Sequence, residues 1–108
     1  MQEYILNLVK LLNSLDYIWV ADSGIDGNEA YIYLYCEKPS QIVWMQAASL
    51  AAKLAKVLAD AESYDSDIAL EWIGDKDMPF ISISMILGQV NTIAKILSDH
   101  RSEFSYDT

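Results

Sequence analysis

The chain has 108 residues, 53% of them hydrophobic and 21% charged, with a formal net charge of −9 at pH 7. That length suits one domain, residues 1–108, able to bury a core without metal or disulfide staples, and the apolar content excludes a disordered chain. Acid in such excess repels phosphate, which argues against nucleic acid or an anionic membrane as a direct partner and admits a basic one.

Apolar runs are interrupted every few residues, and Glu3 stands where a signal peptide would carry base. Neither a leader nor a membrane span is expected, so the chain is expected to be cytoplasmic. Cys36 is the one cysteine, which fits a reducing compartment.

From Glu3 to Leu15 the apolar residues Tyr4, Ile5, Leu8, Leu11, Leu12 and Leu15 recur at helical spacing, predicting an amphipathic helix. Tyr17 to Asp22 and Ala30 to Glu37 are β-branched and aromatic, the second alternating strictly, and predict two strands. Between them GIDGN suits a three-residue loop with Gly27 in the left-handed conformation. That register pairs Trp19 with Tyr33 and Val20 with Ile32. Ile18, Val20, Ile32 and Leu34 then face the core, while Tyr17, Trp19, Tyr31, Tyr33 and Tyr35 share the opposite face.

Gln41 to Met45 (QIVWM) could open a helix or form a third strand, and Ile-Val-Trp in series favours the strand. From Gln46 to Ala61 the polar positions Gln46, Ser49, Lys53, Lys56 and Asp60 are spaced three and four apart. At about 100° per residue they make a ribbon roughly 80° wide, which predicts a helix whose other sides are apolar. Extended backwards the ribbon lands on Ile42, the second reason for ending the helix at Gln46. Leu50, Leu54, Val57 and Leu58 form a bulky flank for the sheet. Ala48, Ala52, Ala55 and Ala59 form a smooth flank that needs a cover, either another helix or the same helix of a second copy.

Ile68 to Gly74 and Phe80 to Leu87 alternate around DKDMP and predict a hairpin. With Gly74 opposite Pro79, Ile68, Leu70, Trp72, Ile81, Ile83 and Met85 face the core, and Ala69, Glu71, Ser82 and Ser84 look outward. Gly88 closes the strand. Val90, Ile93, Ala94, Leu97 and Phe104 mark a third helix, and Ser102 to Thr108 read as a fraying tail. The order α-β-β-β-α-β-β-α implies an α+β domain, two layers with an antiparallel sheet.

Chemistry is scarce. The one histidine, His100, falls near the end of the last helix, where a favourable dipole contact explains it better than catalysis. Cys36 is assigned to the core. Asp22 to Gly27 imitates a calcium loop, but Gly24 holds the third place and Tyr33 the twelfth, where a bidentate Glu belongs, so an EF-hand is rejected. Asp75 and Asp77 suit a turn. No phosphate loop, dinucleotide fingerprint or Cys-x-x-Cys is present. No catalytic, cofactor or metal site is therefore expected. The aromatic face stands out instead: Tyr and Ser are what recognition surfaces use, and Tyr17, Trp19, Tyr31, Tyr33 and Tyr35 are the candidate partner-binding residues, on a face that Ser82 and Ser84 share and that a strand over 41–45 could extend with Ile42 and Trp44. The alternative is that a helix packs on this face and makes it a second core.

From Ala47 to Phe104 the succession of an Ala/Leu-rich helix, SDIALEWIG, a turn, FISISMIL and GQVNTIAKILSDHRSEF resembles the type III secretion chaperone-like fold, and within it the YbjN family. A helix over 41–45 would suit a roadblock-like domain equally. The resemblance implies a homodimer that holds a partner polypeptide and catalyses nothing. The expected dimer contact is Ala48, Ala52, Ala55 and Ala59. The alternative expectation is an acidic inhibitor of a basic nucleic-acid-binding protein. It rests on Asp60, Glu62, Asp65, Asp67, Glu71, Asp75 and Asp77, which face only Lys76 between residues 60 and 77.

Overall fold

A computed structural model describes residues 2–36, 42–61, 66–72 and 78–104. In chain order they form α1 (Gln2–Asn13), β1 (Ile18–Asp26), β2 (Glu29–Cys36), α2 (Val43–Asp60), β3 (Ser66–Glu71), β4 (Phe80–Ile86), a 3-10 turn (Leu87–Gln89), α3 (Val90–Asp99) and a second 3-10 turn (Arg101–Phe104). The four strands make one antiparallel sheet in the order β1-β2-β4-β3. The expected α+β class and two-layer antiparallel arrangement are present.

One core cluster joins Ile5, Leu8 and Leu12 of α1, Leu50, Leu54, Val57 and Leu58 of α2, and Val90, Ile93 and Leu97 of α3 to Ile18, Ile32, Leu34, Ile81, Ile83 and Met85 of the sheet. All three helices therefore lie on the same side of the sheet, and no described helix covers the other side. Cys36 is buried in this core, as its place in the alternation requires.

Two registers differ from expectation. Trp19 opposes Tyr35 and Val20 opposes Leu34, with a bulge between Val20 and Asp22, and the strands close through Gly27 and Asn28 alone. Gly27 has φ 64°, and glycine at the first of two turn residues is the signature of a type II′ reversal, which matches strand twist better than the expected three-residue loop. In the second hairpin Glu71 opposes Phe80, again two places from expectation. Because side chains alternate with a period of two, a slip of two leaves every face assignment intact.

The expected strand over 41–45 is not formed: α2 begins at Val43, with Gln41 outside the described residues. The argument for a strand took Gln46 for solvent-facing, yet Gln46 is buried, only 2% exposed. Ser49, Lys56 and Asp60 of the ribbon are exposed but its first residue is not, so where the ribbon stops says nothing about where the helix starts. Leu70 and Trp72, expected in the core, are 39% and 54% exposed. They lie on the helix side of an edge strand, beyond the shelter that α2 gives Ile68. The expected tail is in part structured, since Phe104 is buried within the second 3-10 turn; residues 105–108, Glu37, Gly74, Asp75 and Asp77 lie outside the described residues.

Candidate functional surface: the bare side of the sheet

Strand alternation puts Trp19, Asp22, Gly24 and Asp26 of β1 on the side away from the helices, with Tyr31, Tyr33 and Tyr35 of β2, Phe80, Ser82, Ser84 and Ile86 of β4, and Asp67, Ala69 and Glu71 of β3. Four of the five aromatic residues expected to bind a partner are brought together here. Trp19 stacks on Tyr35 with ring centroids 5.7 Å apart, and Tyr31 tilts against Tyr33 at 5.2 Å. Tyr17 is exposed, at φ 62° in the corner between α1 and β1, ahead of the ladder. Ile42 and Trp44 do not join the face, because both belong to the start of α2 in the other layer.

The residue that sequence reasoning missed is Phe80. It is buried yet lies outside the main core, with its ring 5.3 Å from that of Tyr33 and 6.3 Å from that of Tyr35. The signal was available, since Ser82 and Ser84 were assigned outward and Phe80 is two residues earlier. Gly24 supports the cluster from below: a Cβ built there would stand 2.6 Å from Cζ of Tyr31. The hydroxyl end of the Tyr31 ring therefore lies over the glycine. Local packing thus makes the tyrosines a rigid, half-buried platform.

Its electrostatics are one-sided. Asp22, Asp26, Asp67 and Glu71 are exposed on this face, whereas every described Lys and Arg (Lys10, Lys53, Lys56, Lys95 and Arg101) is on a helix or in the turn after α3. An aromatic platform with acidic margins suits a cationic or amphipathic chain, through ring faces as well as carboxylates.

The edges of the sheet differ. Leu87 N–H donates to Asn28 carbonyl over 2.8 Å, and antiparallel pairing alternates from there. It follows that Ile18, Val20, Ser23 and Ile25 turn their N–H groups away from β2. The first three are occupied: Ile18 donates to Leu15 carbonyl, Val20 to Asn13 Oδ1 and Ser23 to Asp22 Oδ1. With the bulge beside Val20, the β1 edge is blocked from Ile18 to Ser23, and among the described residues only Ile25 is left to pair.

On the helical side, the alanines expected at a dimer contact, Ala48, Ala52, Ala55 and Ala59, are all exposed, so neither α1 nor α3 covers them. At about 100° per residue, Trp44, Ala55, Ala48, Ala59, Ala52 and Met45 fill an unbroken apolar arc of roughly 100°, bordered by Lys56, Ser49 and Asp60. Lys56 and Asp60 pair at 2.7 Å, and the carboxylate holds the ammonium above its ordinary pKa, but both are well exposed and water screens the contact. A separate open hollow of about 620 Å³ lies where Ser14 and Asp16 meet Ser98, Asp99 and Arg101, with Arg101 donating to Ser14 carbonyl over 3.3 Å. His100 bonds Glu103 through Nδ1.

The described residues thus define a two-layer α+β domain with one bare, aromatic sheet face. No family model, curated protein or solved structure matches the chain. No helix among the described residues is long and apolar enough to cross a membrane, and none of their His, Cys, Asp and Glu side chains gather in threes to hold a metal ion.

Proposed function

We propose that this chain is a homodimeric, non-enzymatic protein-binding module, chaperone-like or regulatory, that holds a partner polypeptide against the aromatic side of its sheet. The observation that carries the reading is the placement of all three helices on one side, which leaves Trp19, Tyr31, Tyr33 and Tyr35 uncovered. The secretion chaperone-like likeness agrees with that reading. The helix start at Val43 is the arrangement that also suits a roadblock-like domain. The second copy is assigned to α2, because its outer arc is an exposed apolar strip bordered by lysine as well as acid, which eases the approach of two chains of net charge −9.

The partner reading is tested by recovering bound polypeptide with the wild type, Trp19→Ala and Tyr33→Ala. Loss of capture in both variants with unchanged circular dichroism supports it, and capture unaffected by either refutes it. The dimer is tested by sedimentation of the wild type and Ala55→Leu. The added side chain should overpack the contact by about 1–3 kcal/mol, and a wild type that stays monomeric at high concentration ends the dimer reading. Exposed Asp22, Asp26, Asp67 and Glu71 also favour a second reading, an inhibitor of a basic nucleic-acid-binding protein. Under it, affinity falls steeply as salt rises.

A further inference from the structure

We propose that β3 accepts an extended segment of another polypeptide as a fifth strand, and that the segment it takes alternates apolar with cationic side chains. The main-chain groups of this edge strand, not the aromatic face, make the docking site, and they do so whether or not that face binds anything. Continuing the alternation set by Leu87 and Asn28 across the sheet, Asp67, Ala69 and Glu71 turn their main-chain groups toward β4, and Ile68 and Leu70 turn theirs outward. β3 is the last strand of the sheet, and among the described residues no side chain or turn occupies the outward groups of Ile68 or Leu70. On β1, by contrast, Leu15, Asn13 and Asp22 take the outward donors of Ile18, Val20 and Ser23, leaving that of Ile25 alone among the described residues.

The side chains on β3 then select the guest. On the bare side of the sheet Asp67 and Glu71 are exposed on either side of Ala69, and on the helix side Leu70 is 39% exposed with Ile68 half-buried beside it. Residues directly opposite on neighbouring strands meet side by side, so a guest strand meets carboxylates on one face and aliphatic carbon on the other. Cations facing Asp67 and Glu71, with Val- or Ile-like side chains between them, satisfy both. A second copy of β3 fits less well: antiparallel pairing centred on Ala69 sets Asp67 against the other Glu71, like charges directly opposed, and in no register does β3 bring a cation of its own to meet them. The acids that attract a basic strand thus gain nothing from the protein's own. An open edge used in this way supplies affinity through main-chain bonds and specificity through alternate side chains.

The test uses the intact chain and three labelled peptides, each as long as β3: alternating lysine and valine, alternating glutamate and valine, and the lysine–valine composition with its lysines in one block. Binding is read by fluorescence anisotropy, and amide hydrogen exchange reports the site. The expected result is preference for alternating lysine and valine, with slowed exchange at Ile68 and Leu70 and none at Val20 or Ser23. The double variant Asp67→Lys, Glu71→Lys weakens that peptide about tenfold and prefers alternating glutamate and valine. Leu70→Pro deletes one outward N–H that β4 does not use, so the sheet persists by circular dichroism while binding is lost. Equal binding of the block peptide, slowed exchange elsewhere, indifference to charge reversal, or concentration-dependent protection of β3 by the chain alone would each overturn the proposal. If the aromatic-face reading fails but this one holds, Trp19→Ala leaves peptide binding intact.

Discussion

Gly24 and Tyr31 provide the most decisive test of how the aromatic platform is built. An alanine at position 24 on its own should help, because a strand glycine costs roughly 0.5–1 kcal/mol relative to alanine. Here the new methyl would stand 2.6 Å from Cζ and 2.8 Å from Cε1 of Tyr31, so the ring must leave. Its departure gives up the tilted contact with Tyr33 at 5.2 Å, about 0.5–1.5 kcal/mol, together with the area the ring shares with the glycine. Forcing the ring to stay off-rotamer instead costs a similar amount. The net expectation for Gly24→Ala is a loss of about 0.5–1.5 kcal/mol in the wild type and a gain of about 0.5 kcal/mol when Tyr31 is already alanine. Urea denaturation of the wild type, both single variants and the double variant measures the coupling, expected at about 1–2 kcal/mol. Equal effects of Gly24→Ala in the two backgrounds would mean that the ring does not rest on the glycine.

Phe80→Ala should destabilise by about 3 kcal/mol, since a buried ring and two aromatic neighbours are lost, and Phe80→Leu by about 1 kcal/mol; thermal melts separate the two. Asn13→Ala should cost about 0.5–1.5 kcal/mol through the unpaired Val20 N–H, and faster exchange at Val20 alone is its signature. Ile83 lies between Ile32 and Ile68 and is fully buried, so Ile83→Val should cost about 1 kcal/mol and Ile83→Ala about 2–5 kcal/mol by chemical denaturation.

Strict alternation in AYIYLYCE made the two faces of the sheet readable without coordinates. That reading withstood two register errors because each was a slip of two residues. What the sequence could not convey was coverage. Leu70 and Trp72 carry the same alternation as Ile81 and Ile83, but they continue an edge strand past the part that α2 covers, whereas Ile18, also on an edge strand, is covered and buried. Gln46 misled in the opposite direction, being polar in type and buried in place, and with it went the start of α2. Phe80 was overlooked because a phenylalanine that begins a strand reads as core until its alternation with Ser82 is followed. The edges were illegible as well: whether Val20 or Leu70 offers an outward N–H depends on Asn13 and on ladder phase, neither of which shows in hydropathy.

The contrast between a β1 margin blocked from Ile18 to Ser23 and an open β3 margin limits what this molecule can build. A ribbon with two receptive borders can propagate without end, each newcomer exposing the template for the next. Here the β1 border is blocked from Ile18 to Ser23, so a further copy finds only the Ile25 end of that border free among the described residues. Growth along the strand-stacking direction is therefore hindered on the side opposite β3, and a flank that takes a foreign strand is poorly placed to seed a fibre.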